Sequence, residues 1–130
     1  EIYGGAGHST IYGGPGNDLI HDGENASVIH TGPGRNRVMS KSGDDQYFVG
    51  PGENEITSGE GQVTYHVAWG GVLKITHWRK GDRIVLSGWP TAPKFSVEGG
   101  KVLIQAGLSF IEIADTVDLA GVEADVIVQG

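Results

Sequence analysis

The feature that most constrains this chain is a nine-residue repeat that runs without a gap from residue 4 to residue 66. Its seven units read GGAGHSTIY, GGPGNDLIH, DGENASVIH, TGPGRNRVM, SKSGDDQYF, VGPGENEIT and SGEGQVTYH. The second and fourth places hold glycine in six of the seven units, and the eighth place always holds Ile, Val or Tyr. A short fixed period of this kind is the signature of a stacked repeat architecture.

A second period lies on top of the first. Gly-Pro-Gly occurs in units two, four and six and in none of the others, so the structural period is two units rather than one. Glycine permits positive φ and proline favours turns, so each unit makes one turn and one short strand. Two units then form one coil, with one short strand in each of two facing sheets. The eighth-place residue faces the core, because side chains alternate along a strand.

Composition narrows the possible partners. The net charge of −7 disfavours nucleic acid and anionic membranes but suits cations. The absence of cysteine excludes disulfides, thiol catalysis and thiolate metal sites. No apolar run is long enough to span a bilayer, so we expect no membrane-spanning segment.

The repeat columns resemble the RTX family of nonapeptide repeats, G-G-x-G-x-D-x-U-x, which form a calcium-binding parallel β-roll. The resemblance covers residues 1–66. In that family calcium lies between turns stacked two units apart and is held by sixth-place Asp side chains and turn carbonyls. The sixth place here reads Ser9, Asp18, Ser27, Asn36, Asp45, Asn54 and Val63, so two of seven units match.

The resemblance implies calcium ligands in both columns of turns. The implied ligands are Asp18, Asn36 and Asn54 with the turn glycines Gly14, Gly16, Gly32 and Gly34 in one column, and Asp45 beside Ser27 in the other. With few carboxylates we expect weak binding, at roughly 10⁻⁴–10⁻³ M. The alternative is that Asn36 and Asn54 form a hydrogen-bonded ladder that closes the turns without metal.

The outward ninth places form two rows. They read Tyr12, His30, Phe48 and His66 on one sheet and Tyr3, His21, Met39 and Thr57 on the other. The first row predicts a ring ladder that could bind sugar rings or a partner, or could simply stabilise the sheet.

Basic residues offer a separate ligand track. Arg35, Arg37 and Lys41, or Lys74, Arg79, Lys80 and Arg83, could bind a polyuronate. Arg37 lies one coil from Glu55, so a salt bridge is the alternative there.

No catalytic signature is present, so we expect no enzyme activity in this chain. His8-Ser9 fails the G-x-S-x-G pattern, because Ile11 stands where glycine is required. There is no H-E-x-x-H motif, and His21 and His30 fall on opposite sheets. Calcium is the expected bound ion, in a structural role.

The nine-residue columns stop after Tyr65, and longer apolar runs follow, some separated by Gly-Gly as at Gly99-Gly100. These runs predict antiparallel strands joined by hairpins. We therefore expect an all-β fold with the parallel β-roll over 1–66 and an antiparallel β cap, a sheet or sandwich, over 67–130. The cap would cover the last coil, with Trp69, Trp78 and Trp89 in its core or, alternatively, as a ligand platform.

Two segments of the second half carry further resemblance. ITHWRKGDRIVLSGW (residues 75–89) is similar to the segment after the repeats in serralysin C-terminal domains and in the R-modules of mannuronan C5-epimerases. GVEADVIV resembles the end of a type I secretion signal, although Gln129 and Gly130 follow it. The chain also begins at Glu1 in mid-pattern, so we expect a fragment of a longer protein.

The resemblance implies a non-catalytic calcium-binding module of a larger secreted bacterial protein. Such a module would be exported by type I secretion, would fold in extracellular calcium, and would be attached to a catalytic or adhesive domain. The alternative is a carbohydrate-binding R-module that binds an alginate-like polyuronate for an attached catalytic domain.

Overall fold

The structure is a computed structural model, and it describes residues 2–4, 10–24, 26–57, 59, 61–76, 78, 82–89, 93–107, 109–114 and 126–129. This part of the chain is all-β. Its strands are β1 (Ile2–Tyr3), β2 (Thr10–Tyr12), β3 (Leu19–His21), β4 (Val28–His30), β5 (Gly34–Met39), β6 (Gln46–Val49), β7 (Gly52–Thr57), β8 (Thr64–Ala68), β9 (Gly71–Thr76), β10 (Arg83–Ser87), β11 (Lys94–Glu98), β12 (Lys101–Ala106), β13 (Ser109–Ile113) and β14 (Val126–Gln129). None of the described residues forms a helix that is long and apolar enough to cross a membrane.

Two sheets share these strands. The larger has the order β1-β3-β5-β7-β9-β13-β12-β11, and the smaller has the order β14-β10-β8-β6-β4-β2. Along the repeat each strand pairs in parallel with the strand two units later, so that Ile20 lies beside Val38 and Ile29 beside Tyr47. The predicted coil of two nine-residue half-turns is therefore confirmed, as is the parallel roll.

The eighth-place residues build the core between the two sheets. Ile11 is 6% exposed, and the remaining six, Ile20, Ile29, Val38, Tyr47, Ile56 and Tyr65, are fully buried. Each has its neighbours on the outer face, because the strands alternate in side-chain direction. The inward column predicted from the sequence is confirmed.

Stacked turns bring backbone against backbone, which explains the glycine columns. Gly32 and Gly34 have φ values of +75° and +108°, a region that side chains disfavour. A Cβ atom on Gly32 would lie 2.5 Å from the carbonyl oxygen of Gly14, and one on Gly34 would overlap that of Gly16. Glycine is thus required here both by backbone conformation and by the close approach of the neighbouring coil.

The second half continues the parallel coil further than the sequence predicts. β9 pairs in parallel with β7, β10 with β8, β13 with β9 and β14 with β10. Only β11, β12 and β13 pair as antiparallel strands among the described residues. The expectation of antiparallel strands joined by hairpins was wrong for β9, β10 and β14. The last strands of the repeat, β7 and β8, have edges that pair with a parallel strand as readily as with an antiparallel one.

The hairpin expected at Gly99-Gly100 is present. It joins β11 to β12, and both glycines have positive φ, +57° and +78°. This combination is typical of a tight hairpin turn between antiparallel strands. The division of the chain at residues 66 and 67 stays a prediction.

The three tryptophans pack at the cap end of the core, as predicted. Trp89 is 6% exposed and donates from Nε1 to the carbonyl oxygen of Val67 at 3.1 Å. The ring of Trp69 meets that of Trp89 edge-on at 5.3 Å, and Trp78 packs against the core beside Tyr65. Burial of these rings favours a structural role over a ligand platform.

Candidate calcium-binding turns

The turns form two columns, one along each edge of the roll. We call Asp18, Asn36 and Asn54 the asparagine column, and Asp22, Ser27, Ser40 and Asp45 the aspartate column. The sixth-place side chains point inward, because they lie two residues before the buried eighth place. Asn36, Asn54 and Asp45 are accordingly only 2%, 3% and 2% exposed.

A continuous hydrogen-bonded ladder links the asparagine column. The Asn36 amide oxygen accepts the backbone N–H of Asp18 at 3.0 Å. Its amide nitrogen donates to the carbonyl oxygen of Gly32 and to Oδ1 of Asn54, both at 3.1 Å. Asn54 donates in turn to the carbonyl oxygen of Gly50 at 3.1 Å. The ladder considered as the alternative to metal is present, and its amide hydrogens already bind two turn carbonyls.

Asp18 ends this ladder with a carboxylate that is incompletely satisfied. Its Oδ2 atom is buried and has no hydrogen-bond partner among the residues that the structure describes. A Cβ atom on Gly13 would lie 3.2 Å from that oxygen, so the glycine leaves space beside it. An unpaired buried carboxylate oxygen is costly, and a cation would satisfy it.

Calcium would bind more favourably at the Asp18 end of the column than between the neutral amides of Asn36 and Asn54. The roles of these residues, and of Gly14, Gly16, Gly32 and Gly34, as calcium ligands stay predictions.

Asp45 anchors the aspartate column by bonds to three residues. Its Oδ1 accepts the backbone N–H of Ser27 at 2.8 Å, one coil away. Its Oδ2 accepts from the Ser40 hydroxyl at 2.7 Å and from the Tyr47 hydroxyl at 3.4 Å. The site predicted around Ser27 and Asp45 is therefore assembled, and its role as a metal site stays a prediction.

A second carboxylate, which the sequence reasoning did not single out, lies in the same place. Asp22 is 4% exposed, and its Oδ1 accepts the Ser27 hydroxyl at 2.9 Å. Its Oδ2 is buried without a hydrogen-bond partner in the described part of the chain. Ser27 thus touches both acids, through its backbone with Asp45 and through its hydroxyl with Asp22.

The electrostatics of this column favour a bound cation. Burial raises the pKa of the Asp45 carboxyl to about 6; the Ser40 hydrogen bond opposes this shift, and the negative charge of Asp22 adds to it. Burial, followed by the charge of Asp45, raises the pKa of the Tyr47 phenol above its usual range. Two inward carboxyls of like charge, lined by hydroxyl groups, form a set of hard oxygen donors of the kind that calcium prefers.

Asp82 repeats the pattern two coils further on. It is fully buried, and its Oδ1 accepts the backbone N–H of Val63 at 2.9 Å, just as Asp45 accepts that of Ser27. Sequence reasoning missed Asp82 because one extra residue interrupts the two-unit spacing there. The signal that could have found it is the Gly-Asp step before the apolar run of β10.

The outward ligand candidates are divided between the two sheets. Tyr12, His30 and Phe48 stack on the smaller sheet, with ring centroids 4.5 and 4.7 Å apart, and His66 continues the stack at 4.4 Å from Phe48. The predicted ring ladder is therefore present.

The first set of basic candidates lies away from the ring ladder. Arg35 and Arg37 lie on β5 of the larger sheet and pair with Glu53 at 2.9 Å and with Glu55 at 3.7 Å. Lys41 is exposed between β5 and β6, so the structure does not bring this first basic set together with the rings. Arg83, from the second basic set, lies on β10 of the smaller sheet, which also carries the rings. Ser9, Arg79 and Lys80 lie outside the described residues.

A parallel β-roll with buried carboxylates and amides in its turns has the architecture of a calcium-binding repeat. Residues 1–24 and 12–47 match the family model of the RTX calcium-binding nonapeptide repeat (4 copies). Residues 1–47 are therefore similar to RTX repeats, and repeats of this family form non-catalytic modules that bind calcium ions. No curated protein and no solved structure matches the chain. The likeness to serralysin domains and epimerase R-modules stays a prediction.

Proposed function

We propose that the chain is a calcium-binding module of a larger secreted bacterial protein, stabilised by extracellular calcium after type I secretion. The observation that carries the proposal is a pair of buried carboxylate oxygens, on Asp18 and Asp22, that have no partners among the described residues and lie in the turns of an RTX roll. Such oxygens are unfavourable in the metal-free protein and become favourable once a cation binds them.

Export into calcium would then supply a driving force for folding. Any ion that binds the folded state and not the unfolded state stabilises it, by about 2.7 kcal/mol at a concentration one hundred times the dissociation constant. Ligands that must be assembled by folding couple metal binding directly to the folding equilibrium. RTX repeats are typical of secreted proteins, which supports an extracellular location.

The C-terminal strand supports the secretion part of the proposal. The signal-like segment GVEADVIV ends with Val126, Ile127 and Val128, which belong to β14. This strand pairs with β10 in register from Val126 to Gln129. In this arrangement the folded module would hold these residues within its sheet. A secretion machinery would therefore have to bind them before the module folds. The attached catalytic or adhesive domain belongs to the same proposal.

Far-UV circular dichroism tests the proposal. The spectrum would be recorded with a chelator and then in about 10 mM calcium, above the weak end of the affinities for extracellular modules. We expect a gain of β signal or of thermal stability with calcium and not with equal magnesium. An identical spectrum and identical stability in both buffers would contradict the proposal.

A second function is favoured by the ring ladder. Tyr12 is 68% exposed at the end of the stack, and Phe48 and His66 line a groove of about 360 Å³ beside it. Flat stacked rings suit the apolar faces of sugars. The ion pairs of Arg35 and Arg37 and the net charge of −7 oppose an alginate-like polyuronate.

Oligosaccharide binding tests this second function. Titration with alginate and with neutral oligosaccharides, in wild type and Tyr12→Ala, would detect binding at the ladder. A response lost in the variant supports the idea, and no response to any sugar removes it.

A further inference from the structure

The first place of the third unit carries an unusual residue. The first places of the other units hold Gly4, Gly13, Thr31, Ser40, Val49 and Ser58, and none of them is acidic. The Asp22 backbone still makes the regular bond of the roll, donating to the carbonyl oxygen of Met39 at 2.8 Å. Its carboxylate is therefore held inside the turn and not displaced towards solvent.

The carboxylate of Asp22 lacks the partners that would explain its burial. The residue is only 4% exposed, and of its two carboxylate oxygens only Oδ1 is bonded, to the Ser27 hydroxyl. Its Oδ2 has no hydrogen-bond partner in the described residues, although a carboxylate can accept about four hydrogen bonds. An oxygen of this kind points to a missing positive ligand.

Ser27 shows where that ligand would lie. Its hydroxyl meets Oδ1 of Asp22 at 2.9 Å and its backbone N–H meets Oδ1 of Asp45 at 2.8 Å, so the two acids converge on one residue. The described residues contain no cluster of three or more His, Cys, Asp or Glu side chains that could hold a metal ion, so an ion here would have two carboxylates as its charged ligands and would need neutral oxygens for the rest. Two carboxylates balance one divalent charge, and the hydroxyls of Ser27 and Ser40 add neutral oxygens.

We infer that Asp22 and Asp45 together bind one calcium ion, with Asp22 supplying from the first place of its unit the carboxylate that the sixth-place Ser27 lacks. The inference rests on the proposed calcium-binding function and assigns ligands within it. It relocates one ligand from the sixth place of the repeat to the first. It also makes the aspartate column the stronger of the two, because the asparagine column has one carboxylate and a completed amide ladder.

Calorimetric titration of the whole chain with calcium chloride tests the assignment. Asp22→Asn keeps the shape and removes the charge, and Asp18→Asn makes the same change in the asparagine column. We expect Asp22→Asn to lose one binding event, or to weaken it by at least about tenfold, while Asp18→Asn retains it. Equal stoichiometry and affinity in wild type and Asp22→Asn would overturn the inference.

A second variant at the same position keeps the test decisive if Asp22→Asn does not fold. Asp22→Gly places at this turn the residue that Gly4 and Gly13 already supply in the same place of other units. We expect this variant to melt at a higher temperature than wild type in chelator, because a buried charge is gone, and to gain less from calcium. A calcium gain as large as that of wild type would again overturn the inference.

The outcomes separate this inference from the proposed function. If wild type binds calcium and both Asp22 variants bind it equally, only the assignment of Asp22 fails. If wild type binds no calcium, the proposed function fails, and a proton shared by the two carboxyls would account for the pair. If the two Asp22 variants lose one calcium-binding event and Asp18→Asn does not, the result supports both the assignment of Asp22 and the proposed function.

Discussion

The side-chain amide of Asn36 donates to Oδ1 of Asn54, the residue in the same place one coil later, at 3.1 Å. The same amide nitrogen donates to the carbonyl oxygen of Gly32, so it lies where the RTX resemblance would place a cation. The asparagine column thus satisfies its turns with neutral hydrogen-bond donors. Only Asp18, at the end of this column, keeps a buried carboxylate oxygen without a hydrogen-bond partner among the described residues.

Restoring an acidic residue in this ladder should make the roll depend more on calcium. Asn36→Asp removes both amide donations and points a buried carboxylate at two oxygens, so in chelator we expect a loss of about 1–3 kcal/mol. Added calcium should recover more stability than it does in wild type. Melting curves in chelator and in calcium measure both effects.

Asn17→Asp is the matched control for that variant. Asn17 is exposed, and its Oδ1 accepts the backbone N–H of Arg35 at 3.1 Å, a bond that a carboxylate keeps. Its melting temperature should stay close to that of wild type. Equal losses in the two variants would show that added charge, and not the ladder, determines the effect.

Gly34→Ala should destabilise the roll more than Gly16→Ala. Both glycines have similar positive φ, +108° and +102°, so the conformational strain is matched. The added methyl group at position 34 would overlap the carbonyl oxygen of Gly16, whereas the one at position 16 meets nothing within 4 Å. We expect about 1 kcal/mol or more for the strain alone and a larger loss at position 34. Urea unfolding measures both, and equal losses would contradict the stacked-turn contact.

Ile29→Ala tests the inward eighth-place column. Ile29 is fully buried, so truncation should cost about 2–5 kcal/mol, from lost burial and from the cavity left behind. Val97→Ala, at a side chain that is 40% exposed, should change the free energy of unfolding much less. Chemical unfolding in saturating calcium gives the comparison, and a small loss at Ile29 would mean that the column does not form the core.

His66 should make the roll sensitive to acid. Burial lowers the pKa of His66 below its ordinary value of 6.5, so the unfolded chain binds this proton more readily than the folded protein. Its contribution to stability is therefore present above about pH 6.5 and is lost as the pH falls from there through the lower pKa of the folded state. In His66→Phe the loss of stability on acidification should be smaller, with ring stacking on Phe48 retained.

The control for His66→Phe is His30→Phe, which exchanges a ring in the same stack. Melting temperatures would be recorded from about pH 8 to about pH 5, a range that spans the ordinary histidine titration. An unchanged acid response in His66→Phe would contradict the assignment of the effect to this residue.

The roll was predictable because its information is local and repeated. Ile20, Ile29 and Val38 occupy one place in successive units, and strand alternation alone turns that place inward. The register of the strands was predictable as well, because a slip of one residue would expose all the eighth-place residues. The ring ladder and the asparagine ladder then follow from stacking equal places of alternate units.

The strand directions in the second half and the buried carboxylates could not be predicted, because they depend on tertiary structure. Apolar runs such as those of β9 and β10 pair in either direction, and the open edges of the preceding coils made them parallel. Asp22 looks in sequence like an ordinary solvated turn residue, and only the structure shows that its carboxylate is buried and binds the same serine, Ser27, as that of Asp45. Asp82 was obscured by one extra residue in the spacing.

The melting temperature of the unmodified chain against free calcium concentration tests the central claim most directly. If calcium binds the folded turns, the melting temperature should rise with the logarithm of calcium once the dissociation constant is passed, and magnesium should not reproduce the rise. A melting temperature that stays constant from chelator to about 10 mM calcium, well above the expected affinity range, would contradict the account.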